Sequence, residues 1–178
     1  MNYPLSEFKR PQSRKEEIAN SAAHGFGLLA ALCGAPFLIT AALQRGNIRT
    51  IVGACIFSIA MVLLYLMSTL YHALPASRGK HLFHLFDHIA IFLLIAGTYT
   101  PFTLGVLYGT WGWTLLGLIW GLTGAGVIVK IFYAQRHPLL STCFYIGMGW
   151  LVIVAFRPLW LHLPRAGLIW LFLGGISY

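Results

Sequence analysis

Acidic residues are nearly missing from this chain. Four stand in 178, against twelve lysines and arginines, and charged side chains of both signs make up only 9%, where soluble domains carry roughly 25%. With 58% hydrophobic residues and a mean hydropathy of +0.77, that scarcity excludes a water-soluble globular protein. Paired cysteines are missing as well. Cys33, Cys55 and Cys143 are odd in number, have no C-x-x-C spacing and lie inside apolar runs, so they are expected as buried free thiols. No P-loop, dinucleotide fingerprint or transporter-type internal repeat occurs. The net charge of +8 does not point to nucleic acid, because the basic residues sit in short connections and form no stripe with interleaved aromatics. The anionic lipid surface is their expected partner. The basic start resembles a signal n-region, but the apolar stretch after it is too long for an h-region and shows no clear cleavage site, so the first span is expected to remain in the mature protein.

What the chain does have is long apolar runs. From Ile18 onward the charges are Arg45, Arg49, Arg78, Lys80, Asp87, Lys130, Arg136, Arg157 and Arg165, and they divide the chain as a multi-span helical membrane protein is divided. The expected fold is all-α, a polytopic transmembrane bundle. Residues 1–17 form a basic cytoplasmic segment, and residues 18–178 form one membrane domain with spans near 18–43, 50–72, 84–106, 111–132 and 139–156 and a partial span over 160–178. The uncharged run from His88 to Val129 would reach about 63 Å as one helix, so a turn is expected within Leu107–Gly112. After Arg165 only AGLIWLFLGGISY remains, about 20 Å of helix against a core of roughly 30 Å. A terminal carboxylate in hydrocarbon is costly. The expectation is a chain cut short within its sixth span, with a re-entrant segment, or a span starting back at Trp160 with Arg165 snorkelling, as the alternatives.

Orientation follows from the basic residues. An amino terminus inside puts Lys9, Arg10, Arg14, Lys15, Arg78, Lys80, Lys130 and Arg136 inside and Arg45, Arg49, Arg157 and Arg165 outside, and the excess comes from the tail. Trp111, Trp113, Trp150, Trp160 and Trp170 fall near expected span ends or in the last segment, as aromatic belts do.

Ionisable groups inside spans are costly and are functional hypotheses by default. Glu17, Asn20 and His24 share one helical face; Ser68 and His72 lie one turn apart; Asp87 and His88 open the third span. With the amino terminus inside, all three groups meet at the cytoplasmic side. Imidazole is a common zinc ligand, a carboxylate can bind zinc or deprotonate its water, and a hydroxyl can orient that water. His72 is one good donor, and no H-x-x-x-H pair in a span supplies the rest. His84 and His88 have metal-ligand spacing but an interfacial position that favours solvated or lipid-facing rings. Plainer roles stand beside these. Asp87 suits a helix cap, Glu17, Asn20 and His24 suit interhelical glue or support of a site, and Ser68 suits a bond to its own i−4 carbonyl. Pro101, after Gly97, Thr98, Tyr99 and Thr100, kinks the third span, with the threonines available to freed backbone groups. His137 and His162 fall in expected connections.

The blocks EEIANSAAHGFG (Glu16–Gly27), STLYHALP (Ser68–Pro75), FDHIAIFLLIAGTYTPF (Phe86–Phe102) and MGW (Met148–Trp150) resemble, in order and on the same spans, the bacterial hemolysin III group of the progestin and adipoQ receptor family. The resemblance covers the chain from Glu16 onward. It implies a seven-helix bundle in the bacterial cytoplasmic membrane, amino terminus inside, with zinc near the cytoplasmic side. It also implies that His72 is a zinc ligand, with Ser68 and Asp87 near the metal-bound water, while the other ligands come from an H-x-x-x-H motif on a seventh helix, which this sequence does not contain. The family is related to lipid amide hydrolases of the ceramidase type, and its bacterial branch carries a haemolytic label and a link to membrane homeostasis. Two expectations follow. One is a zinc-dependent hydrolase of a lipid-like amide or ester, with Asp87 as base and Ser68 orienting. The other is a non-enzymatic sensor of membrane fluidity or a cytolytic protein. A lytic pore is the weaker form, since pores expect a polar lumen along their length.

Overall fold

A computed structural model describes residues 12–133 and 138–177. Lys9, Arg10, Arg136 and His137 lie outside these. The described residues are almost wholly helical, with no strand among them, and carry five helices long and apolar enough to cross a membrane. They are α1 (Arg14–Gln44), α2 (Ile48–Ala73), α3 (Arg78–Leu104), α4 (Thr110–Tyr133) and a composite fifth. The composite runs through α5 (Pro138–Trp150), a 3-10 stretch (Leu151–Ala155) and α6 (Phe156–His162); α7 (Arg165–Ser177) follows.

Local chemistry sets the ends. Ser13 caps α1 in a reciprocal box with Glu16, and Gly46, at φ +66°, takes the left-handed turn after it that only glycine adopts freely. Asn47 caps α2 and Ser77 caps α3. The short connections make α1, α2 and α3 antiparallel neighbours. The start of α1, the end of α2 and the start of α3 therefore share one end of the bundle.

The packing is that of a protein solvated by lipid. Phe26, Phe37, Phe132 and Ile176 are each more than 70% exposed, while the inside holds small and hydroxylated residues such as Ala54, Ala60, Ala96, Ser58, Ser68 and Thr100. Lipid tails are as apolar as leucine, so helix association relies on close backbone approach. A Cβ on Gly53 would come within 2.8 Å of the Pro101 Cα, and one on Gly97 within 2.8 Å of the Ala60 Cβ. Central α3 packs against α2 and α4, and its Phe92, Ile95 and Ala96 form a core with Ile119 and Met148.

Several expectations change at this level. The third helix begins at Arg78, six residues before the expected span, so Asp87 lies inside the helix and the cap is Ser77. The fifth helix continues to His162 despite Pro158, and the break comes at Leu163 and Pro164. Pro158 has no N–H for the Val154 carbonyl, and the chain tightens into 3-10 geometry just before it. The Tyr99 hydroxyl reaches the Met148 and Gly149 carbonyls, 2.9 Å from each. Trp150 thus falls at the middle of the apolar stretch Leu139–His162. Around Pro101, Thr98 and Thr100 bond the Ile95 and Ala96 carbonyls. The three thiols are free, but Cys33 and Cys143 are exposed and Cys55 is half-buried, because an apolar run in a membrane is surrounded by lipid rather than by protein.

Candidate functional site

Glu17 sits in the first turn of α1, His72 in the last turn of α2 and Lys80 in the first turn of α3. The shared end of the three helices brings them into contact. His72 Nδ1–H donates to Glu17 Oε2 at 2.8 Å, and Lys80 Nζ donates to Glu17 Oε1 at 2.8 Å. Lys80 also donates at 3.1 Å to the carbonyl of Leu74, the residue that caps the end of α2. The three side chains are mostly buried, with His72 9%, Lys80 18% and Glu17 20% exposed. One carboxylate thus holds two donors from two other helices, the condition under which a charge is tolerated in such a place.

Around this tie lies an aromatic frame. The His24 ring stacks parallel to His72 with centroids 5.6 Å apart. Tyr71 contacts His72 at 4.6 Å and His84 at 5.0 Å, and Lys80 Nζ lies 4.9 Å from the Tyr71 centroid. Asp87 is near enough for its charge to act on both His24 and Tyr71. Ser68, one turn deeper than His72 on α2, is buried. Ser21 Oγ donates to the Thr69 carbonyl at 3.3 Å, pinning α1 to α2 beside the site.

Of the residues singled out from sequence, His72 meets both Glu17 and His24, with Asp87 and Ser68 close by. Asn20 instead donates to Gln12 Oε1 at 3.4 Å. His88 Nδ1 donates to the carbonyl of His84 in its own helix at 2.8 Å, and the two rings lie 4.3 Å apart. His162 likewise donates within α6, to Pro158. Sequence reading missed Lys80 and Tyr71 as members of the site. Lys80 was counted only as a loop charge; the signal was Ser77, whose capping spacing to Lys80 moves the helix start to Arg78.

The zinc implied by resemblance can be tested against these donors. With Nδ1 on Glu17, His72 has Nε2 left for a metal or a proton, in the orientation that a carboxylate partner gives to metal-bound histidines. A catalytic zinc takes three protein donors, and among the described residues no group of three His, Cys, Asp or Glu side chains is placed to hold a metal. The described residues contain one prepared donor and do not make up a zinc site.

A bundle of lipid-facing helices with an ion-paired polar cluster at one end defines a polytopic helical membrane protein. A family model described as haemolysin-III related matches residues 12–178, and the chain belongs to that family. It is 49% identical over 164 residues to the Hemolysin-3 homolog of Bacillus subtilis (strain 168), covering 92% of this chain and 77% of that protein. It is 46% identical over 164 residues to Hemolysin-3 of Bacillus cereus, covering 92% and 75%. The Monocyte to macrophage differentiation factor of Homo sapiens is more distant, 25% identical over 143 residues, covering 75% and 57%. No solved structure matches the chain.

Proposed function

We propose that this is a multi-pass protein of a bacterial cytoplasmic membrane, amino terminus cytoplasmic, that serves membrane homeostasis by acting on the head region of a lipid-like amide or ester. The observation that carries the reading is the 2.8 Å bond from His72 Nδ1 to Glu17. With Nδ1 donating to the carboxylate, Nε2 is the ring nitrogen left to bind a metal or a proton. Asp87 is assigned the role of base toward water, since Glu17 is paired and Glu16 caps α1; Ser68 orients; Lys80 keeps Glu17 ionised by pairing with it. His72 would supply one ligand to zinc, and the described donors do not complete the metal's shell.

The incomplete donor set, with the names of the Bacillus relatives, favours a second reading as a non-enzymatic fluidity sensor or haemolytic protein. Two measurements separate them on detergent-purified and reconstituted protein. The first is zinc per chain by mass spectrometry beside hydrolysis of a lipid amide, in wild type and His72→Ala. Zinc and turnover that both vanish in the variant support the hydrolase. The second is bilayer order in vesicles, read with an environment-sensitive dye. A change in order that survives Asp87→Ala, in protein without turnover, refutes the hydrolase and supports the sensor.

A further inference from the structure

At the opposite end of the bundle from the polar cluster, α2 and α4 flank α3 and make little contact with each other. Between them runs an open groove of about 350 Å³. Its walls are Val52 and Ile56 on one side and Trp113 and Trp120 on the other, with Leu104 on the floor and Arg49 at the mouth. Trp120 Nε1 donates to Thr100 Oγ1 at 3.2 Å, so the indole N–H of Trp120 is already satisfied. The interior is apolar, and Arg49 is the charge that meets it.

Arg49 is held in an unusual way. Its guanidinium carbon lies 3.6 Å from the centroid of the Tyr108 ring, in the turn between α3 and α4. Its Nε is buried and hydrogen-bonded to nothing among the described residues. Arg49 as a whole is half-buried, and a guanidinium N–H withdrawn from water ordinarily has an acceptor. The described residues offer none here, because their acidic side chains, Glu16, Glu17 and Asp87, lie toward the other end, in the first turn of α1 and the first half of α3.

We propose that this groove is a binding site for one anionic phospholipid, its phosphate on Arg49 and an acyl chain lying along Val52, Ile56, Trp113 and Trp120. The dimensions agree. From Ile48 to Ile56 the groove descends about 12 Å along α2, most of one leaflet of a hydrocarbon core about 30 Å thick. A cation at an interfacial helix end, an apolar trough of leaflet depth and two tryptophans match both ends of such a lipid. A free phosphate would use only the mouth. The site is separate from the polar cluster and does not depend on how that cluster functions.

The test is native mass spectrometry of the detergent-purified chain titrated with phosphatidylglycerol, phosphatidylcholine or inorganic phosphate. The expected result is one phosphatidylglycerol retained about tenfold more tightly than phosphatidylcholine, because both offer a phosphate to Arg49 but phosphatidylcholine also sets a quaternary ammonium beside the guanidinium. Arg49→Gln should reduce that preference to within about twofold. Val52→Trp, which fills an open wall, should weaken both lipids alike. Quenching of tryptophan fluorescence by bromine-labelled acyl chains gives a readout on wild-type protein alone, stronger for phosphatidylglycerol than for phosphatidylcholine. Equal retention of the two lipids by wild type, an undiminished preference in Arg49→Gln, or competition by inorganic phosphate at the lipid's own concentration would each overturn the proposal.

Discussion

Cutting the tie between Glu17 and Lys80 tests whether the polar cluster is assembled as described. Glu17→Gln keeps the volume and one acceptor but removes the charge that Lys80 meets at 2.8 Å. Bonds to charged groups contribute about 1.5–3 kcal/mol in soluble proteins. Polar contacts between membrane helices average about 0.6 and reach about 1.7 kcal/mol, because helices separated in the bilayer find other partners. With both groups about four-fifths buried, the coupling should fall near the upper membrane figure, about 1–2 kcal/mol. For a chain of this length that corresponds to a Tm change of about 2–8 °C. The assay is thermal unfolding in mild detergent, followed by tryptophan fluorescence, for wild type, Glu17→Gln, Lys80→Met and the double variant. The double variant should lose less stability than the sum of the single ones. Additivity within about 0.5 kcal/mol, the behaviour of sites that do not touch, would refute the contact and with it the assembled cluster.

Three further outcomes follow from the packing. Gly53→Ala places a Cβ 2.8 Å from the Pro101 Cα and should destabilise by about 1–3 kcal/mol, whereas Gly121→Ala meets nothing within 4 Å and should be neutral or stabilising by up to about 1 kcal/mol; equal unfolding midpoints for the two would refute the close approach of α2 and α3. Tyr99→Phe removes the hydroxyl that reaches the Met148 and Gly149 carbonyls and should cost about 1 kcal/mol and speed amide exchange in the 3-10 stretch, so unchanged exchange there would count against the bond. Pro158→Ala restores the missing donor to the Val154 carbonyl and should slow exchange across Leu151–Ala155; no slowing would mean that the proline is not the cause of the 3-10 geometry.

The membrane class was legible in the sequence because it rests on local quantities. A charge in hydrocarbon is so costly that the positions of a few charged residues mark out the apolar helices, and the end shared by Glu17, His72 and Asp87 follows from alternating direction alone. Helix ends were less legible. Ser77 and Pro158 are read correctly only when the backbone geometry is known, since proline is a breaker in one setting and is tolerated in another where the preceding turn tightens to 3-10 geometry. The thiols were misjudged for a related reason, because apolar sequence does not say whether protein or lipid surrounds it.

The partners within each cluster were decided only by tertiary structure. Glu17 and Asn20 lie one turn apart on α1, yet Glu17 turns to His72 and Lys80, 55 and 63 positions away, and Asn20 turns to Gln12. Arg49 of α2 meets the ring of Tyr108, in the turn between α3 and α4, in the same manner. Periodicity gives the face a side chain occupies on its own helix; it carries nothing about the rotation of one helix against the next. That rotation is set by where glycines let backbones approach, as at Gly53 against Pro101. The sequence alone thus determined the solvent, the helices and the end at which polar groups meet, and the packing of α1, α2 and α3 decided which of those groups touch.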